Sequence, residues 1–257
     1  MGDFTHPWIP RRAPIQLGPR QWRARSGGTA VAVPPLTEEV DVPRLLFALA
    51  GLMSATAVAF EPRADQSPGT PEQVSHGKEK FATCAGCHGE AGEGRVGMGP
   101  RLNSSSYLAI VSNDFISRTI REGRPGTNMI SWASMMNDED IAGLVAYIRS
   151  WQADDGVQLN DAPLTGTADA GQKLYMSICS RCHGRSGAGY SEAGSGTGIG
   201  RKAFLDQASD GMLRAVIAKG KDNTAMRPFD EKSPVAVANL SPDEIDSIIK
   251  YLRANAW

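Results

Sequence analysis

Net charge is nearly absent from this chain: 27 Lys and Arg stand against 28 Asp and Glu, leaving −1 at pH 7. Without a basic excess there is no electrostatic footprint for nucleic acid, and without an acidic block there is no solvated tail. Aromatic residues are only 7% of the total, so few large rings are available to fill a core. Strand-like alternation of useful length is also missing, which excludes a sheet-based fold and leaves the all-α class. Histidine and cysteine are scarce, at four each. Glycine and proline, at 28 and 16, are plentiful and imply long irregular stretches. Such a chain has little side-chain volume to bury unless a large apolar ligand fills the middle.

Only one long apolar run occurs. RLLFALAGLMSATAVAF, residues 44–60, ends in Ala57-Val58-Ala59, a small-x-small cleavage pattern. It reads as a secretory signal peptide (44–59) with maturation near Ala59, placing the mature chain in the periplasm. If retained, the segment would instead tie the protein to the membrane, although a span usually takes ~20 apolar residues. Residues 1–43 are rich in Pro, Arg and Gly. They are too long for the n-region of a signal peptide of ~15–30 residues, so the expected start is an internal valine codon such as Val33, Val40 or Val42. The leader is assigned to 1–59 and a flexible segment to 60–69.

From residue 70 the sequence reads twice. The cysteines lie in CAGCHG (84–89) and CSRCHG (179–184), each shortly after an aromatic, Phe81 or Tyr175, and each expected to close a short helix. Thr70 is an N-cap candidate, with Pro71 at the first helical position and Gln73 to complete a capping box. NDFISRTIREG (113–123) and SDGMLRAVIAKG (209–220) are matching amphipathic helices closed by glycine. TNMISW (127–132) and TAMRPF (224–229) each place Thr two before Met and an aromatic three after it. Each copy ends in a helix with apolar residues at i, i+3, i+4 and i+7: Ile141, Leu144, Val145, Ile148, then Ile245, Ile248, Ile249, Leu252, the latter behind a Ser241/Glu244 box. The copies occupy 70–151 and 168–257, joined by a turn-rich linker at 152–167.

A Cys-x-x-Cys pair by itself suits a redox disulfide or half a zinc site. Histidine directly after the second cysteine changes the reading. Two thiols one helical turn apart can form thioethers to the two vinyl groups of haem, and the adjacent imidazole can reach the iron. The residues covalently holding two haem c groups are then Cys84, Cys87, Cys179 and Cys182, with His88 and His183 on the irons. Zinc would require both motifs to converge on one ion, and a thioredoxin-like site lacks its βαβ setting. Ordinary disulfides remain the alternative for an exported chain.

A second axial ligand falls to methionine, the cysteines being used and the other histidines, His6 and His76, lying upstream of both motifs. Met98, Met129, Met135 and Met136 are available in the first copy, Met212 and Met226 in the second. Met129 and Met226 alone share a Thr-x-Met context, 41 positions after His88 and 43 after His183. Trp132 and Phe229 either line the haem edge or pack the core.

These residues give the chain from about 70 to 257 a resemblance to two fused class I c-type cytochrome domains, similar to the dihaem cytochrome c4 group. GPRL (99–102) resembles the family's loop whose proline carbonyl accepts a hydrogen bond from the proximal histidine. The resemblance implies that Pro100 orients His88; AGSGTGIGRKAFL (193–205) lacks the Gly-Pro, so no counterpart follows for His183, and 186–200 is read as a contact loop or slack. Irons ligated by His and Met have no vacant position, which argues for a single-electron carrier without catalytic residues. The partners expected are redox proteins: a terminal oxidase, a reductase, a photosynthetic reaction centre or a quinol-oxidising complex. A dihaem peroxidase, a thiosulfate-oxidising cytochrome, and a cytochrome subunit of a larger membrane complex are the alternatives.

Overall fold

Thr70 starts the first helix in the manner its sequence predicts. Its hydroxyl accepts from the Gln73 N–H and its own N–H donates to Gln73 Oε1 at 2.9 Å, closing a capping box in front of Pro71. The computed structural model describes residues 65–257; the leader at 1–59 and residues 60–64 lie outside them. Among the described residues the protein is helical, with two isolated β-bridges, Arg95 to Gly99 and Asp230 to Leu240, and no longer strand. No described helix is long and apolar enough to cross a membrane.

The first copy comprises α1 (Pro71–His88), α2 (Ser105–Leu108), α3 (Asn113–Glu122) and α4 (Asp138–Arg149). The second comprises α5 (Ala168–Leu174), a π turn (Tyr175–Cys179), α6 (Ser180–His183), a 3-10 turn (Gly189–Glu192), α7 (Lys202–Leu205), α8 (Asp210–Lys219) and α9 (Pro242–Ala254). In each copy the first helix packs against the last one, α1 on α4 and α5 on α9. Both crossings are built on a glycine. A methyl group at Gly77 would overlap the Gly143 carbonyl, and one at Gly171 the Ser247 carbonyl, so only glycine lets the two backbones meet. The periodic apolar residues of α4 and α9 are all buried, in a core that also takes in Phe81 of α1 and Tyr175 of the π turn.

The helix carrying the first motif is longer than expected, an unbroken 18 residues. In the second copy the run is interrupted by the π turn. From Gly77 to Phe81 and from Gly171 to Tyr175 the spacing is the same, but Tyr175 lies one position farther from its first cysteine than Phe81 does. A π turn absorbs one extra residue without ending the helix, so the second motif returns to the register of the first.

An arginine near the end of α4 and of α9 performs the same task in both copies. Arg149, 3% exposed, donates to the carbonyls of Leu108 and Val111 and to Asn113 Oδ1. Arg253 donates to the carbonyls of Leu205 and Ala208 and to Asp210. Each ties down the turn that follows the short α2 or α7 helix. Burial pulls the Arg149 guanidinium to about 10, still charged at neutral pH.

Residues 152–167 are held at both ends. The Val157 N–H donates to the Ala109 carbonyl at 2.7 Å. Arg214 donates to the carbonyls of Asn160 and Ala162, and Asp161 accepts from the Gly211 N–H. Where the copies meet, contacts are reciprocated. Arg124 of the first lies 5.8 Å from the Phe204 ring centroid of the second, while Lys221 of the second lies 3.9 Å from the Tyr107 centroid of the first. Both cations directly follow the glycine that ends α3 or α8, and both rings directly precede the last residue of α2 or α7. A self-complementary seam of this kind is what two copies of one unit form when they face each other.

Candidate metal centres

The last turn of α1 presents Cys84, Cys87 and His88, and α6 with the turn before it presents Cys179, Cys182 and His183. A spacing of three puts both thiols of a pair on one helical face. All four thiols are unpaired and half-buried. Burial, with the neighbouring thiol adding to it, pushes Cys84 up to about 11 and Cys179 to about 12, so both are protonated at neutral pH.

Each imidazole is fixed by a backbone carbonyl. His88 Nδ1 lies 2.9 Å from the Pro100 oxygen and His183 Nδ1 2.8 Å from the Thr197 oxygen. A carbonyl can only accept, so Nδ1 carries the proton and Nε2 keeps its lone pair, the arrangement a metal-binding imidazole needs. Burial lowers the basicity of both rings against the opposing effect of the carbonyls, and the Lys221 cation lowers it further.

Thr197 is a partner the sequence left unassigned. Gly196-Thr197-Gly198-Ile199 takes the place of Gly99-Pro100-Arg101-Leu102. In both, a Cβ on the leading glycine would sit about 3 Å from Nδ1, at 3.1 Å for Gly99 and 2.9 Å for Gly196. What matters is the carbonyl, which threonine supplies as well as proline does. Residues 186–200 are therefore neither slack nor a free contact loop. The Gly196 N–H donates to Cys182 O and the Ile199 N–H to Gly187 O, both at 2.8 Å. The extra length between His183 and Met226 lies wholly in this loop, because Pro100 to Met129 and Thr197 to Met226 span the same 29 positions.

Met129 and Met226 occupy identical loops. The N–H of Arg124 donates to Met129 O and that of Lys221 to Met226 O, both at 2.7 Å. Thr127 Oγ1 accepts from the Met129 N–H and Thr224 Oγ1 from the Met226 N–H, both at 3.1 Å. The other methionines weighed are spent or peripheral: Met136 and Met212 are 9% and 4% exposed in the core, whereas Met98 and Met135 are half-exposed. Trp132 and Phe229 are half-buried against the core, with backbone N–H groups donating to α3 and α8.

The residues fit a covalently held haem better than a bare ion. Among the described residues no three His, Cys, Asp or Glu side chains converge on a metal-sized point. At the seam, Arg201 Nε is buried without a hydrogen-bond partner among the described residues. A macrocycle bearing carboxylates would supply the acceptor this guanidinium lacks.

The family model for cytochrome c oxidase, cbb3-type, subunit III matches residues 72–148 and 166–252, one copy each and well over half of the chain. The chain belongs to that family. It is a dihaem c-type cytochrome of electron transport, with two haem c groups. Similar proteins include the cbb3-type oxidase subunit FixP of Azorhizobium caulinodans, 34% identical over 137 residues, 49% of this chain and 44% of that one. The subunit CcoP of Rubrivivax gelatinosus is 28% identical over 183 residues, 71% of this chain and 54% of that one. Cytochrome c4 of Pseudomonas aeruginosa is 30% identical over 126 residues, 46% of this chain and 59% of that one. The chain spans about half the length of the oxidase subunits it matches.

Proposed function

We propose that this protein is a periplasmic carrier that passes single electrons between redox proteins. Cys84 and Cys87 would hold one haem and Cys179 and Cys182 the other, through thioethers in which each thiol S–H adds across a vinyl double bond with no atom lost. His88 and Met129 would bind the first iron, and His183 and Met226 the second. Held by these residues, the haem would supply one-electron chemistry. The chain's own part is to keep both imidazoles neutral and aimed, through the Pro100 and Thr197 carbonyls, and to hold both methionine loops in one shape. The observation that carries the reading is this duplication of a carbonyl-oriented histidine and a threonine-braced methionine.

The partner that fits best is a terminal oxidase. A second reading, a subunit resident in a cbb3-type oxidase, is favoured by the names of the relatives in which this repeat occurs. A redox titration of the holoprotein with visible spectra at each step tests the ligand assignment. It is expected to give two low-spin haems per chain and a methionine-to-iron charge-transfer band. Met129→Ala and Met226→Ala should each remove about half of that band. A full band in either variant, or ready binding of carbon monoxide by the unaltered protein, would refute the ligation. Migration of the native protein with oxidase subunits, against migration by itself, separates the two readings.

A further inference from the structure

Lys221 is singled out by what it touches. Its backbone N–H donates to Met226 O at 2.7 Å, closing the methionine loop of the second copy. Its side chain leaves that copy and enters the first. There the ammonium stands 3.9 Å above the Tyr107 ring, a cation–π distance, and 3.4 Å from Arg101 O. Arg101 directly follows Pro100, whose oxygen orients His88. One residue therefore reaches the sixth-ligand loop of one centre through its backbone and the fifth-ligand loop of the other through its side chain.

Among the described residues no carboxylate pairs with it there by direct contact. The neighbouring Asp222 is already engaged: its Oδ1 accepts from Ser104 Oγ, Ser106 Oγ and the Ser106 N–H at 2.7, 2.6 and 2.8 Å. Arg124, the equivalent residue of the first copy, is occupied differently, donating to Gln207 Oε1 and Thr119 Oγ1 at 2.6 Å. The groups around the Lys221 ammonium are thus the Tyr107 ring, the Arg101 carbonyl and guanidinium, and Asp222 at a remove.

We propose that Lys221 is a shared positioning cation that raises the reduction potentials of both centres and ties them together. The sign follows from Coulomb's law: iron loses one positive charge on reduction, so a nearby cation favours the reduced state. The inference rests on the two-haem reading above.

The test is a spectroelectrochemical titration of the holoprotein at pH 7, comparing unaltered chain, Lys221→Met, Lys221→Gln and Lys221→Arg. Methionine fills the same channel without charge; arginine keeps the charge. Removing the cation should lower the reduction equilibrium constant of both haems by about three- to tenfold, or about 30–60 mV at 59 mV per tenfold. Lys221→Arg should keep both potentials near those of the unaltered chain. If both haems are bound in Lys221→Met and neither potential moves, or only one does, the shared role is overturned while the haem reading stands. Where Lys221→Met fails to retain haem, Lys221→Gln decides by the same outcomes. An unaltered chain without two haems would overturn the underlying reading instead.

Discussion

Replacing Gly77 with alanine sets two effects of known sign against each other. Inside a helix the change gains about 1 kcal/mol, because alanine loses less backbone freedom than glycine. Here the added methyl would overlap the Gly143 carbonyl and lie 2.9 Å from the Leu144 nitrogen. Both are backbone atoms of α4 and cannot swing aside, so α1 and α4 must separate. Separation loosens the packing of Phe81 against Tyr147 and Trp151, whose ring centroids lie 5.4 and 5.3 Å away. Overpacking typically costs about 1–3 kcal/mol, and a collision with rigid backbone belongs at the upper end. The net expectation is a loss of about 2 kcal/mol after the helical gain. In a unit of 60–100 residues that lowers Tm by roughly 8–15 °C. Gly86, on the same helix, is the control: a Cβ there meets nothing within 4 Å, so Gly86→Ala should leave stability unchanged or raise it by up to about 1 kcal/mol. Urea and thermal unfolding of the holoprotein, followed by far-ultraviolet circular dichroism, measure both variants. A Gly77→Ala protein as stable as the unaltered chain, or a Gly86→Ala protein as weak as Gly77→Ala, would refute the argument.

Arg149→Ala should cost about 2–4 kcal/mol, since the buried carbonyls of Leu108 and Val111 lose their donor together; denaturant midpoints check it. Asp222 gives a pH dependence of definite sign. Burial works against its charge, but the hydrogen bonds from Ser106 and Ser104 prevail and hold the carboxyl at about 2, below its usual 3.8. Its contribution is complete above pH ~4 and is lost as pH falls through ~2, because the unfolded chain binds the proton first. Asp222→Asn should therefore flatten the stability curve across that interval; an unchanged slope would remove Asp222 from the seam's energetics. Asp140, held at about 2 by hydrogen bonds from Lys80 and His76, contributes with the same sign, so Asp140→Asn should flatten the same stretch.

Much of this protein could be read before any coordinate was known. Signals that depend on residues close in sequence came through: the Thr70 and Ser241 capping boxes, the apolar faces of α4 and α9, the glycines that end α3 and α8, and two Cys-x-x-Cys-His motifs. In each, a local spacing maps directly onto one helical turn or one hydrogen bond. The all-α class followed from the same evidence, and the repeat supplied a pairing of Met129 with Met226 that no single copy could. Other features were settled only by folding, because they bring together groups that no local pattern connects. The Thr197 carbonyl reaches His183 from 14 positions away, through a loop whose residue types differ from those of its counterpart. The one-residue surplus before Cys179 is invisible as a period until the helix must absorb it. Arg149, Arg253 and Lys221 look like ordinary solvated cations in sequence, and chain reversals alone place them against carbonyls or rings belonging to distant segments. A backbone carbonyl has no letter in the sequence, and a seam between two copies has no local spacing. For those, the packing of one helix on another was the deciding event.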